Sequence, residues 1–279
     1  MRIEVAEKVN KRKGRSMNTR RHLHILLASA MLLIVLLVVY GCAQRYGQSG
    51  AEPVVVTAAC DIKDAVERYR GLLGPDNGGA PGQRPSGRRE INWDGVPDEL
   101  AAPSFLPPDF FNATAAPRAR GAVFATPGKG VQVSAKSGNP ARAAARFGHI
   151  NPGYTGIFKT FSPERLFSPV GSNIVDMTFF VPGTKTPAVT RGFGAVYADV
   201  DEPHTAFEYF DRSGRSLGRF PVPACDNGLS FLGVVFDRPL VARVRIAYGT
   251  AALGPNDAKG ADVAVMDDFI YGEPQPAEG

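Results

Sequence analysis

The spacing of hydrophobic positions changes three times along this chain. From Ile25 to Gly41 there is no alternation: the run carries no charge, and eleven of its seventeen residues are Leu, Ile or Val. At about −0.3 to −0.6 kcal/mol each, those residues favour a bilayer by roughly 3 to 6 kcal/mol. The run predicts an uncleaved anchor or the apolar core of a signal peptide. Over residues 61–73 the period becomes helical, with Ile62, Ala65, Val66, Tyr69, Leu72 and Leu73 on one face. Asp61 is placed to cap this helix and Gly74-Pro75 to stop it. Its apolar face must dock on the main domain.

From about residue 119 onward the pattern is short strands and turns. Candidate strands are Gly121–Ala125, Val131–Ser134, Ala145–Phe147, Arg165–Phe167, Ile174–Val181 and Gly192–Ala198. Further on come Ala206–Asp211, Leu217–Val222, Ser230–Phe236, Val241–Ala247 and Val263–Tyr271. In Arg243-Val-Arg-Ile the alternation puts the arginines outside and Val244 and Ile246 inside. Gly214 sits where a hairpin needs positive φ. No long amphipathic helix follows residue 75. Short strands without helices predict an all-β fold, an antiparallel, jelly-roll-like β-sandwich with one short N-terminal helix. The chain divides into a basic and apolar segment (1–42), a tether (43–60), a helix with a Gly/Pro-rich surface loop or mobile linker (61–90), and the sandwich (91–274).

Charge changes the picture of the N-terminus. The whole chain of 279 residues carries +5, but residues 1–42 alone hold eight basic and two acidic side chains. The remaining 237 residues hold 24 basic and 25 acidic, a net −1. The folded part lacks the clustered cations that nucleic acid requires. Basic residues before the apolar run keep that end cytoplasmic and send the C-terminal bulk out. The expected location is the bacterial cell envelope, outside the cytoplasm, tethered to the membrane through the N-terminal segment. Val39-Tyr40-Gly41-Cys42 resembles a bacterial lipobox with Cys42 as the lipidated residue, although Tyr40 departs from the usual small residue. Met17 offers an alternative start. Beyond Cys42 the cysteines are Cys60 and Cys225. They are either a disulfide, which an oxidising compartment permits, or two separate buried thiols.

The ordered motifs REINWDG, PxDFFN, RGAVFATPG, FSPVGSN, TFFVPGT, GFGAVYADVD, GLSFLGVVF, RVRI and MDDFIYGEP resemble a group of uncharacterised exported bacterial proteins often found with PEP-CTERM sorting tails. The resemblance covers about residues 60–274 and implies a jelly-roll-like sandwich at the envelope, with no known reaction. This chain departs from the sorting pattern, ending in Gln-Pro-Ala-Glu-Gly without an apolar helix or basic tail.

Most catalytic chemistry fails on inspection. Gly214-Arg-Ser216-Leu-Gly218 matches a nucleophile elbow, but Ser216 opens a hairpin strand and no histidine follows His204. His149 and His204 are lone imidazoles beside loops. No thiol or imidazole cluster can hold a transition metal. Carboxylates remain. Asp199 and Asp201, two apart at a strand end, can share one face; Asp267 and Asp268 lie on the last strand, and Asp257 and Asp262 in the loop before it. Hard oxygens from loops and strand ends suit Ca²⁺. The Met-Asp-Asp-Phe ending is similar to the closing strand of carbohydrate-binding jelly rolls, which implies a structural calcium on Asp267 or Asp268. The expected metal set is therefore Asp199, Asp201, Asp267 and Asp268. Otherwise these are solvated carboxylates, with one of Asp267 and Asp268 bound to backbone N–H groups. Glu90 and Asp94 flank Trp93, the one tryptophan, which gives an alternative glycosidase pair beside a sugar-stacking ring. The favoured reading is a non-catalytic binding module for a polysaccharide, matrix component or envelope protein. A carbohydrate-active hydrolase and a purely structural envelope protein are the alternatives.

Overall fold

The computed structural model describes residues 52–257 and 260–277. The expected membrane segment, the lipidation site Cys42 and the first part of the tether lie outside the described residues. The end of the expected tether is a strand, β1 (Val54–Ala59). It pairs antiparallel with β11 (Cys225–Val235) through all six of its residues. Val-Val-Val-Thr has high strand propensity, and a sheet edge was there to receive it.

Two antiparallel sheets make a sandwich. The larger runs β1, β11, β8 (Gly192–Val200), β13 (Val265–Gly272), β5 (Phe167–Val170) and β4 (Gly130–Val133). Strand β2 (Arg88–Ile91) pairs with the second half of β13, beyond the point where β5 leaves it. The smaller sheet runs β10 (Ser216–Pro221), β9 (Ala206–Phe210), β12 (Arg243–Ala247), β6 (Ile174–Phe179) and β3 (Ala122–Ala125). A short ribbon joins β7 (Ala188–Val189) to β14 (Gln275–Pro276). Alternation fills the space between the sheets. Phe193, Ala195 and Tyr197 of β8 meet Phe207 and Tyr209 of β9 and Val244 and Ile246 of β12. Arg243 and Arg245 face outward and both bind Asp176 of β6. The hairpin has Gly214 at φ 81°.

The outer face of the larger sheet is covered as well, which explains why every residue of β8 is buried. Helix α1 (Lys63–Leu73) lies across it, with Ile62, Val66, Tyr69 and Leu73 on Val196, Phe231, Val235 and Ile270. Two details differ from the sequence expectation. Ile62 rather than Asp61 precedes the first turn, with no side-chain cap, and Leu72 points away at 37% exposure. Docking depends on paired glycines, Gly194 opposite Gly233. A Cβ there would stand 2.8 Å and 2.5 Å from the Tyr69 ring, so the bare backbone is the slot that receives it.

A second cover comes from residues 147–166. The expected strand Ala145–Phe147 is absent: Arg146 and Phe147 have φ of 50° and 62°. Phe147 instead packs with Tyr154 and Phe158 around the single helical turn α2 (Tyr154–Ile157).

The Gly/Pro-rich stretch 74–90 is not a free linker. It wraps the guanidinium of Arg89, which is wholly buried. Arg89 donates to the carbonyls of Gly78, Ala80, Gly82 and Ala119 and forms a two-point pair with Glu273, at 2.7 and 2.8 Å. A buried charge is tolerable only when paired and fully hydrogen-bonded, and here every guanidinium N–H has an acceptor. The stretch has almost no apolar residues, so hydrogen bonds between its carbonyls and Arg89 hold it in place of apolar packing.

Candidate metal centre

Five aspartates and a glutamate converge where β8 and β11 end. Asp199 is in β8, and Asp201 and Glu202 are in the turn that follows. Asp226 and Asn227 come from β11, and Asp257 and Asp262 from the loop between β12 and β13. Together with Ile157 and Gly260 they line a cavity of about 310 Å³.

The backbone explains the convergence. β11 pairs Cys225 with Val200 and then Leu229 with Ala198, so residues between them are pushed out in a bulge. Asp199 and Asn227 both take left-handed φ, 65° and 53°. The Asn227 N–H donates to Asp199 Oδ1 at 2.7 Å, which locks the two strained residues together. Val200 goes into the core, leaving Asp199 and Asp201 on the cavity side. The bulge is bracketed by a disulfide: Cys60 and Cys225 are bonded, and the Cys60 N–H donates to the Leu229 carbonyl. Asp262 is held by Glu202 N–H to its Oδ2 at 3.3 Å and by its own N–H to Thr250.

One carboxylate oxygen each from Asp199, Asp201 and Asp226 lie within 4.8 Å of one another. A Ca²⁺ ion 2.3–2.6 Å from each ligand spans oxygens up to about 5 Å apart, so this trio is the right size for one ion. Asp199 is 2% exposed and Asp262 is 3% exposed. Asp262 Oδ1 has no hydrogen-bond partner among the described residues. Burial, together with the neighbouring aspartates, pushes the Asp199 carboxyl up to about 7 and the Asp262 carboxyl up to about 6. Asp201 and Asp257 are raised for the same two reasons, burial first. These are carboxylates gathered against their own repulsion, the condition that a hard cation relieves.

The other two expected metal ligands are elsewhere. Asp267 and Asp268 occupy a bulge in β13, between Met266 opposite Tyr197 and Phe269 opposite Ala195. The extra residue keeps both carboxylates out of the sandwich core while Phe269 and Tyr271 stay in it. Asp267 accepts from the N–H groups of Phe161 and Ser162 and from Ser162 Oγ. This is the backbone-binding role, and it fastens the 161–162 segment to the sheet. Asp268 faces Arg70 at 3.5 Å. Burial and mutual repulsion raise Asp267; Asp268 is raised chiefly by burial. Neither lines the acidic cavity, so the expected four-residue metal set divides.

Trp93 is no ligand contact. It is fully buried, stacks on Phe167 with ring centres 4.3 Å apart, and donates its indole N–H to the Asp267 carbonyl at 2.7 Å. Its neighbour Glu90 is clamped by Arg70 and Arg88. Burial alone would raise this carboxyl, but the two guanidinia outweigh it and hold it below the usual range, the wrong direction for a general acid. Asp94 accepts from the Arg165 N–H, and burial raises it. Ser216 is exposed on β10, in the hairpin as expected.

Asp226 was the member of this trio that sequence reading missed. Its only signal was its position immediately after Cys225, at the edge of a strand that starts five residues earlier than its apolar run.

No family model and no curated protein matches this chain. Among solved structures it is similar to TmCBM61 in complex with beta-1,4-galactotriose, at 11% identity and a TM-score of 0.26, over 61% of this chain and 95% of that one. It is also similar to a two-domain protein of unknown function from Bacteroides fragilis, at 11% identity and a TM-score of 0.23, over 79% and 81%. Likenesses this remote carry no argument about function.

Proposed function

We propose that this chain is a membrane-tethered, extracytoplasmic β-sandwich that acts as a Ca²⁺-containing binding module. Its ligand is a polysaccharide, matrix or envelope component, and it does no catalysis. The observation that supports the reading is the acidic cavity, in which Asp199, Asp201 and Asp226 match the span of one calcium ion. The disulfide beside it is in keeping with an exported protein. The catalytic alternative has less support, since Glu90 is neutralised by two arginines and neither Glu90 nor Asp94 lines the acidic cavity.

Thermal unfolding of the full-length chain in detergent tests this, with excess Ca²⁺, with Mg²⁺ and with a chelator. Ligand at 100 times its dissociation constant adds about 2.7 kcal/mol to the folded state. For a domain this size that is about 5 to 10 °C. Calcium is expected to produce this shift and Asp199→Asn/Asp201→Asn to abolish it. An unchanged midpoint at millimolar calcium overturns the metal reading. A glycan array probed with and without chelator then tests the ligand class: calcium-dependent capture supports the module, and a blank array favours a structural envelope protein.

A further inference from the structure

We propose that the acidic cavity takes two divalent cations, the first on Asp199, Asp201 and Asp226 and the second on Asp257 and Asp262. The inference rests on the calcium reading of the cavity and goes beyond it in number and in ligands. Geometry defines the first set, and Asp257 reaches it from the loop side, with its carboxyl beside that of Asp199. The trio's oxygens lie within 4.8 Å of one another, whereas Asp257 and Asp262 line the same cavity but stand outside that group. An ion centred on the trio therefore does not draw all five aspartates into its shell.

A separate observation points to a ligand at the second position. Asp262 is 3% exposed, and its Oδ2 is occupied by the Glu202 N–H. Its Oδ1 is buried without a partner among the described residues. A carboxylate oxygen withdrawn from water and given no donor is unfavourable, and a cation removes that penalty. Charge leads to the same place. The five aspartates and Glu202 carry −6 when all are ionised, and one Ca²⁺ leaves −4 in a cavity of about 310 Å³. A second ion brings the total to −2. Each ion would complete its six to eight oxygens with water or carbonyls, which leaves exchangeable positions facing the open side of the cavity.

The experiment is isothermal titration of CaCl₂ into the full-length chain in detergent, with equilibrium dialysis against radioactive calcium to fix the stoichiometry independently. Two ions per chain are expected. Asp262→Asn preserves the side chain's shape and its acceptor for Glu202, and is expected to leave one ion; Asp257→Asn is the second variant should the first lose its native circular dichroism. Asp226→Asn is expected to weaken the first site at least tenfold. One ion per chain, unaltered by Asp262→Asn, overturns the two-ion proposal and leaves the calcium reading standing. No bound ion overturns both.

Discussion

Replacing both Cys60 and Cys225 by serine should destabilise the fold by about 5 kcal/mol. The bridge closes a loop of 165 residues. The chain-entropy relation gives about 17 cal/mol/K for a loop of that length, or about 5 kcal/mol at 25 °C. The native state adds to this, because Gly228 is packed so closely on the cystine that a Cβ would lie 2.3 Å from Cys225 Sγ. The six-residue pairing of β1 with β11 survives in the variant, so the loss is one of chain entropy rather than of a strand. The assay is equilibrium unfolding in urea with calcium absent. At a slope of about 2.5 kcal/mol/M the midpoint should fall by about 2 M. Calcium affinity should fall as well, since Asp226 follows Cys225 directly and the bulge then loses one of its two brackets. A midpoint within 0.5 M of the parent would refute the reasoning. It would mean that the unfolded chain is already compact at this point, or that native strain cancels the entropy. A normal midpoint shift with unchanged calcium affinity would refute only the link to the bulge.

Gly233→Ala should cost about 1–3 kcal/mol through overpacking against Tyr69, and much less in a Tyr69→Ala background; additive losses in the double-mutant cycle would show that the glycine slot does not seat the ring. In chelator, the melting temperature should fall as pH rises from 4 to 8, because Asp199 at about 7 and Asp262 at about 6 lie above their unfolded values near 4. Groups raised in this way contribute stability that is fully present below the unfolded value and is lost as pH climbs through the folded one. The slope should flatten with calcium and in Asp199→Asn/Asp262→Asn, and a slope identical in parent and variant would count against it.

The fold was readable where alternation is strong and local. Strands β6 and β12 and the Gly214 turn follow from period two and one glycine, β8 from a short apolar run, and helix α1 from period 3.6. What could not be read depended on partners far away in sequence. Val54–Ala59 is a strand because β11 offers an edge almost 180 residues later. Residues 74–90 look like a linker because they lack an apolar pattern; their own Arg89 holds them, through a pair with the distant Glu273. Trp93 looks like a sugar platform because it is the one tryptophan, yet its indole is closed in by Phe111, Phe124, Phe167 and Phe269. The conspicuous REINWDG and MDDFIYGEP motifs prove to be two halves of one fastening. Arg89 meets Glu273, and Trp93 meets the Asp267 carbonyl.

That fastening sets off the acidic cavity by contrast. Elsewhere this protein gives most of its buried or half-buried carboxylates a partner, although Asp268 Oδ1 has none among the described residues. Glu273 has Arg89, Glu90 has Arg70 and Arg88, Asp98 has Arg165, and Asp176 has Arg243 and Arg245. Asp267 has two backbone N–H groups and a hydroxyl. Among the described residues, Asp199, Asp201, Asp226, Asp257 and Asp262 have no such cation. They are nonetheless held close by a bulge, two left-handed residues and a disulfide. Backbone strain and charge repulsion both oppose that arrangement, at about 1–3 kcal/mol for each strained residue. A fold that pairs most of its other buried acids from within, yet holds Asp199 and Asp262 buried among three further aspartates without a cation, has the arrangement that the proposed Ca²⁺ would relieve.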